Sequence, residues 1–192
     1  MSIVDNLFMQ MFGRPQGMLG RFGGIIMARM NKEFTYSVID LLDIQPNDRV
    51  LEIGFGSGMG IQRLAKLAST GYIAGIDYSK EMVEQATAMN LKKVEAGLVD
   101  LRQGSVESLP FEDNTFNKAL AVNSMQVWSD AAKALQEIRR VQKKVEGKIA
   151  LGFTPYSGQS SHGLIEILTT AGFTEVKLVN LDDGFCLLAI AS

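Results

Sequence analysis

One stretch constrains this chain more than any other: Val50-Leu-Glu-Ile-Gly-Phe-Gly-Ser-Gly58-Met-Gly60. An apolar run of strand length enters a glycine-rich turn and leaves it in a segment of helical period. Glycines there let the backbone bend and approach a ligand with no side chain in the way. In an open parallel sheet, such a turn lies beyond the carboxyl end of a strand, where ligands bind. A dinucleotide turn, Gly-x-Gly-x-x-Gly, needs its third glycine at position 59, where Met59 stands, and no Gly-Lys-Ser/Thr of a phosphate loop follows. Glu52, just before the turn, would repel a diphosphate and suits a ligand carrying an ammonium group. These features argue against a nicotinamide oxidoreductase.

From residue 49 onward, short apolar runs alternate with longer helical patterns, the signature of a parallel sheet covered on both faces. Strands are predicted at Arg49–Ile53, Tyr72–Asp77, Leu98–Arg102, Phe116–Val122 and Lys148–Phe153, with helices at Gly60–Ala68, Lys80–Met89 and Asp130–Val145. Ser160–Ala171 reads as a last helix stopped by Gly172, and strands Phe173–Val179 and Phe185–Ile190 flank the turn Asp182-Asp-Gly184. The expected fold is α/β: a Rossmann-like, doubly wound, mostly parallel sheet of seven strands ending in an antiparallel hairpin strand. For 192 residues this leaves one domain, 48–192, and an appended N-terminal helical cap, 1–47. The cap holds six of the 10 methionines, with Phe8, Phe12, Phe22 and Phe34. It reads as sheet packing, as an adaptable apolar lid, or as a homodimer contact.

Charge and rare residues narrow the function. Lys+Arg 19 against Asp+Glu 21 leaves a net charge of −2, so no global field draws the chain to nucleic acid or anionic lipid. The lone Cys186 forms no internal disulfide, and with the lone His162 it cannot build a zinc cage; no metal site is expected. No apolar run approaches the ~18 residues of a membrane helix. The start has an acidic residue where a signal peptide has basic ones, and the expectation is a cytoplasmic protein without a membrane partner.

Four stretches in order resemble the class I S-adenosylmethionine-dependent methyltransferases, most closely the small-molecule group with the ubiquinone and menaquinone C-methyltransferases. They are Val50 to Gly58, Gly75-Ile-Asp77-Tyr-Ser79 with Met82 and Ala86, Gly104 to Asn117, and Ala134 to Val141 with Gly147-Lys-Ile-Ala-Leu151. The likeness runs from about residue 34 to the C-terminus. It implies S-adenosyl-L-methionine as cofactor, with Gly54, Gly56 and Gly58 against its amino-acid and ribose portions and Glu52 near its ammonium group. Asp77, at a strand end, would accept hydrogen bonds from the ribose hydroxyls, or cap the next helix with Ser79. Met82 and Tyr78 would pack on the adenine, or fill core. Where relatives often place an acidic residue for the adenine amino group, this chain has Ser105; the contact then falls to its hydroxyl, to the backbone around Val106, or to Glu107.

Methyl transfer from a sulfonium is an in-line displacement that alignment and exclusion of water can accelerate, so no acid–base constellation is obligatory. The resemblance puts Asn123-Ser-Met-Gln-Val-Trp128 beside the methyl group. Asn123 would bind the cofactor or orient the acceptor; Trp128 would wall the pocket or anchor a helix capped by Ser129. This segment lacks the Asn/Asp-Pro-Pro-aromatic tetrad of DNA and protein amino-methyltransferases, so nucleic acid is not the expected acceptor. The candidate bases are His162 and Tyr156, each also readable as a surface residue. The expected function is methyl transfer to a small, partly apolar metabolite. The alternative is a non-catalytic cofactor-binding module acting through partner contacts.

Overall fold

The computed structural model describes residues 32–191. Helix α1 (Lys32–Leu41) precedes strand β1 (Arg49–Ile53), α2 (Met59–Leu67), β2 (Tyr72–Asp77), α3 (Lys80–Met89), α4 (Leu91–Glu95) and β3 (Val99–Gln103). Then come β4 (Lys118–Val122), α5 (Ala131–Val141), β5 (Gly147–Phe153), α6 (Leu164–Thr170), β6 (Phe173–Leu181) and β7 (Gly184–Ala191). The strands form one seven-stranded sheet in the order β3-β2-β1-β4-β5-β7-β6, in which β7 runs antiparallel to both neighbours. The chain winds outward from β1 to β3, then returns to β4 on the other side of β1. That reversal places the switch point, and the crevice it opens, beyond the carboxyl ends of β1 and β4.

Side-chain alternation buries both faces. Leu51, Ile53, Ala119, Ala121, Ile149 and Leu151 pack with α5 and α6 through Leu135, Ile138, Leu164 and Leu168. Val50, Ile73, Leu120 and Ala150 pack with Phe34, Val38, Ile61, Leu64 and Ala86 on the opposite side. Each such Leu or Ile, fully removed from water, contributes roughly 1.5–3 kcal/mol before entropy is counted. Cys186 lies in this second cluster, its thiol pushed up to about 12 by burial, as suits a core residue.

Four local expectations are corrected. The helix predicted to run to Val145 stops at Val141, because the chain turns to bridge Phe116 and the Gln142 amide donates to the Lys148 carbonyl at 2.7 Å. Its N-cap is Asp130, which accepts from Lys133 N at 2.9 Å, rather than Ser129. The last helix starts at Leu164 instead of Ser160, after Gly163 takes a left-handed φ of 76°. Helix α4 was not expected; its five residues bury no side chain and carry no apolar periodicity to read. Of the Met-rich segment, residues 1–31 lie outside the described residues, and with them the lid and homodimer readings. Phe34 alone of its named aromatics is described, and it packs on the sheet. Among the described residues, no helix is long and apolar enough to cross a membrane.

Candidate functional site

The glycine-rich turn is clamped from three elements. Gly54 N donates to the Ile76 carbonyl at 2.8 Å and Gly56 N to Asp77 Oδ2 at 2.9 Å, tying the turn to β2. Asn90, at the end of α3, donates its amide to the carbonyls of Gly58 at 3.1 Å and Ala86 at 2.9 Å. Ser124, just beyond β4, closes the third side: a Cβ at Gly54 would lie 2.5 Å from the Ser124 Cβ. At Gly56, by contrast, a Cβ would meet nothing within 4 Å, so the turn is open on that side alone of the three. A preformed loop with one open face is what a ligand backbone approach requires.

Glu52 faces the same side of β1 as Val50, toward α2. It is 4% exposed, and its Oε2 has no hydrogen-bond partner. Burial first, and the charge of Asp77 second, push its carboxyl up to about 8. A Cβ at Gly60 would lie 2.2 Å from Glu52 Oε1, so glycine in the first turn of α2 makes the room this carboxyl occupies. A buried carboxyl whose Oε2 has no partner among the described residues suits a ligand that brings a cation or a hydrogen-bond donor.

Asp77 accepts from Gly56 N through Oδ2 and from Ser79 N through Oδ1, both at 2.9 Å. Burial raises its pKa against these two lowering hydrogen bonds. Ser79, not Asp77, is the N-cap of α3. Each Asp77 oxygen keeps a second acceptor site, and the carboxylate links the turn to the end of β2. Met82 is buried and Tyr78 is exposed, so the two expected adenine neighbours differ sharply in setting.

Beyond β3, Ser105 donates to the Glu107 carboxylate, and Val106 is buried in the core. Glu107 Oε1 in turn accepts from Ser129 N and Asp130 N. Beyond β4, Asn123 takes a left-handed φ of 49° and its Oδ1 accepts from Thr154 N at 2.8 Å, joining the ends of β4 and β5. Trp128 donates its indole N–H to Ser124 Oγ at 3.1 Å and packs on the core beneath α5. The indole thus ties the loop after β4 to the core just ahead of α5. Glu137 and Arg140 of α5 hold the 104–117 loop, through Leu109 N to Glu137 Oε2 at 2.9 Å and Arg140 to the carbonyls of Leu109 and Phe111.

Tyr156 lies in a single 3-10 turn after β5 and His162 one residue before the Gly163 cap; both are exposed. Among the described residues, no three His, Cys, Asp or Glu side chains are grouped to hold a metal. The sequence reading gave no role of their own to Gly60, Asn90, Ser124, Glu137 and Arg140. Gly60 is visible in the sequence as a fourth glycine, and only the fold brings it against the Glu52 carboxyl; the others signal themselves only through distant partners.

The sequence profile of the family described as Methyltransferase domain matches residues 51–151. The Bacillus subtilis (strain 168) protein YrhH, which carries a methyltransferase name, is 31% identical over 162 residues, covering 84% of this chain and 88% of its own. The demethylmenaquinone methyltransferase of Lactiplantibacillus plantarum is 32% identical over 124 residues, covering 64% of this chain and 52% of its own. In fold, a SAM dependent methyltransferase from Aquifex aeolicus superposes with a TM-score of 0.73 at 23% identity, covering 82% of this chain and 89% of its own.

Proposed function

The chain belongs to the class I S-adenosylmethionine-dependent methyltransferases, and from that premise we propose that it methylates a small, partly apolar metabolite. The observation that carries the placement of the cofactor is the buried, unpartnered Glu52 Oε2 beside a turn open at Gly56. The residues present fit the group: a carboxylate for an ammonium, glycine amides and Asp77 for a ribose, Ser105 and the Val106 backbone for an adenine edge. Met82 and Tyr78 flank that edge from α3 and the end of β2. When bound, S-adenosylmethionine supplies an electrophilic methyl group on a sulfonium sulfur.

The chain's own contribution is alignment. Asn123 is fixed by Thr154 at the ends of β4 and β5, and Trp128 by Ser124, so both present rigid groups to one side of the crevice. Excluding water there strengthens the electrostatic contacts that orient the reactants. For an acceptor that must lose a proton, His162 and Tyr156, on the loop after β5, are the bases the chain offers. Asn123-Ser-Met-Gln in place of a Pro-Pro tetrad, together with the balanced charge, supports a metabolite over nucleic acid. The partial likeness to a demethylmenaquinone methyltransferase supports an apolar, ring-bearing acceptor. The buried, unpaired Cys186 supports a cytoplasmic location.

Incubation with methyl-labelled S-adenosylmethionine and a panel of phenols, hydroquinones and naphthols tests the acceptor class. The expected outcome is label in a low-molecular-weight product one methyl heavier than its acceptor. Label recovered in RNA or protein instead, with none in the panel, would reject the metabolite reading.

A further inference from the structure

The Glu107 carboxylate belongs to one loop and serves two. Its Oε2 receives the hydroxyl of Ser105, in the loop after β3, while Oε1 accepts from Ser129 N at 2.9 Å and Asp130 N at 3.3 Å, in the loop after β4. Ser105 Oγ also takes the Glu107 N–H at 3.3 Å, which fixes the turn that aims the carboxylate. Ser129 directly follows Trp128, whose indole N–H is held by Ser124, and Ser124 abuts Gly54. The contacts therefore run from the end of β3, across the loop after β4, to the glycine turn after β1. Hydrogen bonds to an ionised acceptor are the strong kind, and two backbone N–H groups entering α5 add the favourable end of its dipole.

We propose that Glu107 is a positioning residue for methyl transfer, bridging Ser105 to Ser129 and Asp130 so that binding of a nucleoside on the β3 side is transmitted to Trp128. The proposal rests on the cofactor crevice assigned above. On that assignment Ser105 lies at the adenine edge and Trp128 on the methyl side, and the bridge is the side chain that keeps the two in register. It also gives the carboxylate a task other than touching the adenine, since both its oxygens are engaged.

Trp128 is the chain's single tryptophan, so its fluorescence reports on this loop without interference. The test titrates S-adenosylhomocysteine into wild type, Glu107→Ala and Glu107→Gln, following Trp128 emission and, in parallel, calorimetric heat. In wild type, emission should change and track the calorimetric isotherm. Glu107→Ala should weaken the affinity about tenfold and lose the ligand-induced emission change while keeping the wild-type far-UV spectrum. Glu107→Gln, whose amide oxygen still accepts from Ser129 and Asp130, should recover the emission change and bind within about threefold of wild type. If the alanine variant does not fold, Glu107→Asp, one methylene too short to span the loops, should show the same loss of response. Wild-type affinity and emission response in either shortened variant would overturn the bridge. A wild type that binds no S-adenosylhomocysteine would overturn the crevice assignment, and the bridge with it.

Discussion

Glu52→Gln is expected to stabilise the ligand-free protein at alkaline pH and, in the same change, to remove tight cofactor binding. The carboxyl of Glu52 is pushed from 4.5 to about 8, by burial first and the Asp77 charge second. Its folded pKa therefore exceeds its unfolded one. The native state binds the extra proton between those values, so the stability this group confers is complete below pH 4.5 and is lost as pH rises toward 8. Linkage sets that loss at about 5 kcal/mol over the window. Glutamine does not titrate and removes this slope. Denaturant unfolding of both proteins at pH 5 and pH 8 should show the variant gaining on wild type by that order across the interval. Curves that stay parallel would mean Glu52 is not held neutral by its surroundings.

Binding should move the opposite way. A bound ammonium gives Glu52 the counter-charge it lacks, so the ligand takes up the ionised form and releases the carboxyl proton. Affinity in wild type should rise as pH climbs from 6 toward 8, up to about tenfold per unit. In Glu52→Gln the rise should vanish and the affinity fall about 100-fold, the scale of a lost buried ion pair. Gained stability alongside lost binding is the usual mark of a group kept strained for its ligand.

Asp77→Ala is expected to cost binding by a different route. The carboxylate holds Gly56 N and Ser79 N, so its removal frees the open face of the turn and leaves two amides unpaired. Each loss is on the order of 1–3 kcal/mol, which predicts a drop in affinity of roughly 10- to 100-fold. Asn is no rescue here, because its NH2 would confront one of the two N–H donors. Since the Asp77 charge helps raise Glu52, Asp77→Ala should also shift the stability transition of Glu52 to lower pH. Equilibrium dialysis with labelled S-adenosylmethionine reads the first effect and pH-dependent unfolding the second. Unchanged affinity would reject the role of Asp77 at the ribose.

The strands were legible because the sheet is buried on both faces, which leaves near-continuous apolar runs at Arg49–Ile53, Tyr72–Asp77 and Gly147–Phe153. The glycine turn was legible because backbone freedom leaves a mark in residue type. Helix ends were less so: Gln142 leaves α5 to pair with Lys148 and Phe116, and nothing local to Gln142 announces partners that far along the chain. The same holds for Asn90 at Gly58, 32 residues away, and for Glu107 at Ser129, 22 residues away. Side chains whose work is to join loops are chosen by the fold, and their spacing in sequence follows no period. Met82 shows the limit from the other side, since a buried methionine on an α3 face suits a core contact and a ring contact alike.

The central claim is that the crevice bounded by Glu52, Gly56 and Asp77 takes up S-adenosylmethionine. Calorimetric titration of wild type with S-adenosylhomocysteine near pH 8 measures this most directly. The account predicts saturable binding of one equivalent per chain, weakened roughly 10- to 100-fold in Asp77→Ala. Absence of any saturable heat in the folded wild type, or equal binding by the Asp77→Ala variant, would contradict it.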